Sequence, residues 1–261
     1  VSEVAIPRAA VSAAPARRTG TLDGFFILLV AVGLWQFIAV WTQGIAISPP
    51  LATFVYVGNL ALTASFWANA RETFFAFATS FVIAAVLGLL LGLVLGLRRF
   101  AGDVAEPILA GFYTIPKVTL YPVVLLIFGL GMSAKVAFGV LHGLVPVTLF
   151  TLGAIKTLPP VLMRAARTMR LSSVEAMRWV LIPACLPEIV AGLRIGFSLT
   201  FLGVLIGEMF SSQRGLGFLL VNGLSQHNVK LTTSVVFLIV VAAIMANTLM
   251  LRLARRVTHR T

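Results

Sequence analysis

Six apolar stretches, near residues 22–42, 71–97, 107–129, 134–155, 188–210 and 231–253, follow one another along this chain with only short polar intervals. Each is close to the ~20 predominantly apolar residues that carry a helix across the hydrocarbon of a bilayer. The third is the least regular, because Pro116 and Pro122 interrupt it and Lys117 and Thr119 lie between them. Composition agrees with the spans. The chain is 59% hydrophobic and 11% charged, with mean hydropathy +1.04, whereas a soluble domain is about 45–50% apolar and ~25% charged. A chain of 261 residues has too little interior to hide that excess, so the expectation is an all-α integral membrane protein of six transmembrane helices.

The net charge of +12 raises nucleic acid as a partner, but the cations sit in short intervals between spans and form no stripe. Their distribution sets an orientation instead. With the N-terminus inside, fourteen Lys and Arg fall on the inner side. Four (Arg71, Lys135, Arg214 and Lys230) fall outside, and Lys117 and Arg194 lie within spans. Both termini are therefore expected in the cytoplasm. Residues 1–20 are expected to be a disordered tail, followed by one transmembrane domain over 21–256 and a short tail at 257–261. The first span is too long for a signal-peptide core and no small-x-small site follows it, so it is expected to be retained. Residues 48–70 are apolar but rich in Pro, Gly, Asn and Ser/Thr; an interfacial helix with Tyr56 and Trp67 at headgroup depth is expected there.

Glycines repeat at Gly88, Gly92 and Gly96 in the second span and at Gly192, Gly196, Gly203 and Gly207 along one face of the fifth. Small residues at this spacing let helix backbones approach closely. Two uses are open: packing inside one bundle, or packing of the fifth helix against a partner subunit.

Between the fourth and fifth spans lies a charged interruption. Pro159 and Pro160 suit a helix start, and Arg164, Arg167, Arg170 and Arg178 crowd into the residues that follow. Ser172-Ser173-Val174-Glu175 has the form of a capping box, Ser172 as N-cap and Glu175 reaching back. A second short helix is expected to run to about Val180 and stop before Pro183, with Pro187 opening the fifth span. Physics alone leaves two readings: a basic amphipathic pair on anionic headgroups, or a corner of fixed shape that docks a soluble protein. Cys185, beside Pro183 and Pro187, is expected to be a small packing residue.

These residues resemble a family. Ala165-Ala166-Arg167-Thr168-Met169, then Ser172, then Leu181-Ile182-Pro183-Ala184-Cys185-Leu186-Pro187 and Ala191-Gly192-Leu193-Arg194 are similar to the cytoplasmic EAA loop of binding-protein-dependent ABC importer permeases. Ile115-Pro116-Lys117, Phe128-Gly129-Leu130-Gly131, Gly207-Glu208-Met209 and Gly215-Leu216-Gly217 resemble the sulfonate, taurine and nitrate branch. The resemblance covers about residues 70–256. It implies a type I importer permease whose coupling loop, residues 156–187, docks an ATPase through Arg164, Ala165, Ala166, Arg167, Met169, Arg170, Leu171, Ser172, Ser173 and Glu175. It implies two ATP-binding subunits, a second permease copy in a homodimer, an external substrate-binding protein, and a bacterial inner membrane. ATP and magnesium would be bound by the ATPase and no cofactor by this chain. The solute it implies is a small organic or inorganic anion, with aromatic acids or vitamin precursors carried by related branches.

Two positions depart from the family pattern. Arg164 stands where the loop usually has Glu, which implies an acidic or carbonyl partner on the cognate ATPase. Arg170 stands where it usually has Gly, so either Arg170 takes an unusual backbone conformation or the turn shifts toward Ser172.

No G-x-x-x-x-G-K-[ST], H-E-x-x-H or G-x-S-x-G occurs, and His142, His227 and His259 have no ligand spacing. The chain is expected not to be an enzyme. Of its eight acidic residues, Glu208 alone is expected at or near a span interior. For a solute path the candidates are Tyr113, Thr114 and Lys117 with Thr119 nearby, and Ser198, Thr200 and Glu208. Lys117 follows the Pro116 break, where freed carbonyls line a cavity or the ammonium snorkels to headgroups. Ser198 and Thr200 face a path or bond back to their own helix, and Glu208 meets the binding protein or a gate, or is a solvated helix end. A secondary transporter or channel working without an ATPase is the alternative class; it predicts ionisable groups along the spans and an internal helix repeat, and neither is clear here.

Overall fold

Helices dominate because the long apolar runs contain few residues that compete with the i→i−4 ladder. The computed structural model of the protein describes residues 21–258, in which no strand occurs. They fall into two units, one ending at Pro50 and the other beginning at Leu51. The expected tail at 1–20 lies outside the described residues, and 257–258 continue the last helix.

The first unit holds α1 (Thr21–Trp41). Its C-terminal turn closes through Gln43 and Gly44, both at positive φ, and Trp35 Nε1 donates to the carbonyl of Ser48 at 2.9 Å.

The second unit opens one residue into α2 (Pro50–Ala61), whose 12 residues are fewer than a crossing needs. The predicted helix over 48–70 divides here: Thr63 caps a new helix, its hydroxyl accepting from Phe66 N–H, and Trp67 belongs to that helix. This is α3 (Ala64–Leu97). Then come α4 (Arg99–Thr114), a 3₁₀ turn (Lys117–Leu120) and α5 (Tyr121–Phe128). The third predicted span is not one helix. Pro116 has no N–H and pushes Ile115 to φ −63°, ψ 132°, and the two arms meet at 90°. Among the described residues five helices are each long and apolar enough to cross a bilayer, and the bent pair is a sixth candidate crossing.

α6 (Met132–Lys156) forms the centre of the bundle, between α3 and α9 (Ile182–Ser211). The glycines explain how close these helices come. A Cβ on Gly92 would lie 2.8 Å from the carbonyl oxygen of Thr148, and one on Gly96 2.8 Å from Ile155. On α9, Gly196, Gly203 and Gly207 meet Val147, His142 with Phe138, and Lys135, all on α6. The glycine face of the fifth span is therefore spent inside this chain and is not free for a partner subunit. Without a hydrophobic drive between helices, such backbone proximity supplies dispersion contact instead.

α10 (Leu216–Ser225) and α11 (Val229–Thr258) complete the unit. Phe66, Leu216, Leu219 and Val235 form a shared core between α3, α10 and α11.

Candidate functional site

The charged interruption folds as a corner. α7 (Pro160–Thr168) ends where Arg170 adopts φ 54°. Arg170 N–H donates to Arg167 C=O at 3.0 Å and Leu171 N–H to Ala166 C=O at 3.1 Å, which is a Schellman motif with arginine in the left-handed position usually held by glycine. Of the two outcomes open for Arg170, the unusual backbone is the one realised. The predicted capping box forms: Ser172 Oγ accepts from Glu175 N–H at 3.3 Å, and Glu175 Oε2 accepts from Ser172 N–H at 2.8 Å.

After α8 (Ser173–Ala176) the chain does not stop before Pro183. It passes through a π turn (Met177–Leu181), where Ile182 N–H reaches back to Met177 C=O, and runs directly into α9. The expected helix break at Pro183 is thus replaced by one continuous helix. Pro183 falls in the first turn of α9, and the wider π turn before it takes up the register. Pro187 lies inside α9 rather than at its start.

Ala166, Ala176, Leu181 and Cys185 root the corner. Leu181 and Cys185 pack on Ala154 and Ile155 of α6, and Cys185 Sγ–H donates to Ala154 C=O at 3.3 Å. Above this root Arg164, Ala165, Arg167, Met169, Arg170, Ser172, Ser173 and Glu175 are exposed, Leu171 is half-buried and Ala166 is buried. Among the described residues Arg164, Arg167 and Arg170 form no ion pair. Sequence reasoning missed Val174 and Trp179, which are 74% and 66% exposed beside Met169 at 70%. The corner thus presents cations and apolar side chains together. Nearby, Lys156 ties α6 to α4 through Asp103 and Glu106, both at 2.6 Å.

The bend between α4 and α5 brings Lys117 and Tyr113 together. Lys117 is 9% exposed; its Nζ donates to Tyr113 C=O at 3.2 Å and lies 4.9 Å from the centre of that ring. No carboxylate pairs with it among the described residues. Thr114, Thr119 and Ser198 are exposed and bond back to Gly111, Pro116 and Arg194. Thr200 is fully buried against Gly143, and among the described residues its hydroxyl has no partner.

At the opposite end of α9, Glu208 is no solvated helix end. It is fully buried. Thr73 Oγ1 of α3 donates to it at 2.9 Å and Gly217 N–H at 3.0 Å. Leu216 N–H donates to Thr73 Oγ1 at 2.8 Å, and Gly215 N–H to Asn69 Oδ1 at 2.7 Å. Three successive N–H groups at the start of α10 are therefore satisfied by α3 and α9, and the carboxylate meets the positive end of that helix. Gly215 has φ 125°, and a Cβ there would run into the Glu208 carboxylate. Next to this junction Lys135, 2% exposed, donates to Glu72 Oε1 at 3.1 Å and to Arg214 C=O at 2.8 Å. Glu72 and Lys135 lie in the expected second and fourth spans, but nothing in their spacing shows that α3 and α6 bring them together. Among the described residues no group of His, Cys, Asp or Glu could hold a metal ion.

The chain matches the family described as "Binding-protein-dependent transport system inner membrane component" over residues 84–261. It is 30% identical over 116 residues to the taurine transport system permease protein of Escherichia coli (strain K12), covering 44% of this chain and 42% of that protein. It is 25% identical over 228 residues to a putative aliphatic sulfonates transport permease protein of Bacillus subtilis (strain 168), 86% of this chain and 83% of that protein. The fold is similar to a chain of the MetNI methionine ABC transporter, with TM-score 0.61 and 22% identity over 72% of this chain and 94% of that one. A multi-pass helical fold and a family match spanning more than half of its length place this protein among the binding-protein-dependent transport system inner membrane components.

Proposed function

We propose that the chain is the permease subunit of an ATP-driven importer, that its corner is the docking element for a separate ATPase, and that the solute is a small organic anion. The observation that carries this is the corner itself. A Schellman turn and a capping box fix its shape, its root is buried on α6, and its tip carries exposed cations beside Met169, Val174 and Trp179. A pair of helices lying on headgroups has no use for two caps in succession. A complementary protein surface does, because a rigid tip loses little conformational entropy on binding. The taurine and sulfonate relatives support the solute class.

In this reading two copies of the permease enclose the path and two ATPase subunits hold ATP and magnesium. Arg164, Ala165, Arg167, Met169, Arg170, Ser172, Ser173 and Glu175 face the ATPase, while Ala166 and Leu171 hold the corner from beneath. An external binding protein delivers the solute, and both termini lie in the cytoplasm. Lys117 with Tyr113 is the path candidate the geometry favours, since its ammonium has no carboxylate to satisfy it. Thr114 and Ser198 are occupied by their own helices, and Glu208 is a positioning residue that holds α10.

The test is co-purification of this chain with the ATPase encoded beside it, together with solute uptake into vesicles. Wild type is expected to bring the ATPase down and to need ATP for uptake. Arg164→Glu with Arg170→Gly is expected to weaken that contact. Uptake that persists in membranes lacking any ATPase overturns the reading in favour of a secondary transporter.

A further inference from the structure

A cavity of about 390 Å³ lies beside the Glu208 junction, lined by Glu72, Leu130, Gly131, Lys135, Ser212, Gln213 and Arg214. Its volume is within the range of small-molecule sites. It is built from the third turn of α3, the first turn of α6 with the residues before it, and the turn before α10, so three separate parts of the chain converge on it. Gly131 adopts φ 112°, and Arg214 N–H donates to Ser212 Oγ at 3.1 Å, which gives both turns a defined shape.

Three lining groups have an unused valence. An ammonium has three donors, and Lys135 spends two of them, on Glu72 Oε1 and Arg214 C=O. A carboxylate has two oxygens, and Glu72 spends Oε1 on Lys135. The exposed Arg214 guanidinium forms no ion pair among the described residues. A simple anion in this cavity would meet Lys135 and Arg214 but would also face the Glu72 carboxylate. A simple cation would meet Glu72 and face two positive groups. A molecule that carries both charges a few atoms apart satisfies all three.

We propose that this cavity is a binding site for a small zwitterion, its acid group held by Lys135 and Arg214 and its ammonium by Glu72. The assignment rests on the importer reading given above and narrows its solute class from anions to amino acids and aminosulfonates. In the orientation set by the Lys and Arg distribution, the cavity opens on the outer face, where a solute arrives. Lys135 is the fixed element, locked by burial. Glu72 is positioned by it, and Arg214 is free to close on a bound acid group.

The experiment is equilibrium dialysis of the full chain in detergent micelles against two radiolabelled probes. Taurine and isethionate have the same two-carbon sulfonate skeleton and differ only in an ammonium or a hydroxyl. Taurine is expected to bind at least about tenfold more tightly, the scale of one charge-assisted hydrogen bond. Glu72→Gln is expected to bring the ratio to about one. Arg214→Gln, on an exposed side chain, is expected to weaken both probes about tenfold while keeping their ratio; it carries the test if Glu72→Gln, which strands the buried Lys135, does not fold. Equal binding of the two probes, no binding of either, or a ratio indifferent to Glu72→Gln overturns the proposal. Co-purification of the ATPase is scored on the same preparations. A chain that binds its ATPase but does not discriminate the probes loses the zwitterion site alone, whereas a chain that binds no ATPase loses the importer reading.

Discussion

Thr73 of α3 and Glu208 of α9 stand 135 residues apart in sequence and 2.9 Å apart in space. The threonine hydroxyl donates to the carboxylate and accepts from Leu216 N–H, so one side chain joins three helices. Removing it orphans two buried groups, each worth roughly 1–3 kcal/mol when left unpaired. Thr73→Val, which keeps the shape, is expected to lower the melting temperature of the purified chain, and Thr73→Ser to restore most of it. A Thr73→Val protein that melts like wild type would show that the junction adds nothing to stability.

Arg170 sits at φ 54°, a conformation that costs a residue with a Cβ about 1–2 kcal/mol. Arg170→Gly is expected to stabilise the corner, and Arg170→Val to fray it. Hydrogen exchange at Leu171 N–H, which closes the Schellman turn, reads this directly. It should slow in the glycine variant and quicken in the valine one.

Ser172→Ala removes the N-cap of α8, a loss of about 1 kcal/mol. If the corner transmits work from an ATPase, its fraying is expected to lower ATP-driven uptake more than it lowers global stability. Uptake and melting temperature, measured on one preparation, separate these effects.

Gly92 and Gly111 give a matched pair. A Cβ at Gly92 would press on Thr151 and on the Thr148 carbonyl, whereas a Cβ at Gly111 meets nothing within 4 Å. Gly92→Ala is expected to cost about 1–3 kcal/mol by overpacking, and Gly111→Ala to gain about 0.4–1 kcal/mol by restricting the unfolded chain. Chemical unfolding in detergent checks both signs.

Lys117→Met keeps the length of the side chain and removes its charge. Stability is expected to hold or rise, since a buried cation without a carboxylate is costly, while anion uptake falls at least about tenfold, the equivalent of one lost charged contact. Unchanged uptake would take Lys117 out of the path.

Apolar length alone located most of the bundle, and Pro116 marked the one span that bends. The capping box at Ser172 and Glu175 was legible because its four residues are adjacent and its chemistry is local. The proline pair at 183 and 187 misled for the same reason. Read locally Pro183 ends one helix and Pro187 opens the next, but a π turn over Met177–Leu181 supplies a register that neither proline announces. The Glu208 junction and the Lys135–Glu72 pair were illegible because they depend on which residues of distant helices face each other. Gly215-Leu216-Gly217 was visible as a motif, but the need for glycine at 215 emerges only once a carboxylate from α9 lies against it.

That π turn has a mechanical consequence. Because α8 passes through it into α9 as one continuous helix, the tip at Ser172 and the buried carboxylate stand at two ends of one element. α9 alone has 30 residues, about 45 Å at 1.5 Å per residue. If the tip takes the thrust of an ATPase as proposed, an element of that length, seated on α6 through its glycines, is expected to carry a tilt near Ser172 through to Glu208. The expected result is strain on the α10 anchor that Glu208 holds, and with it a change in the shape of the cavity beside it.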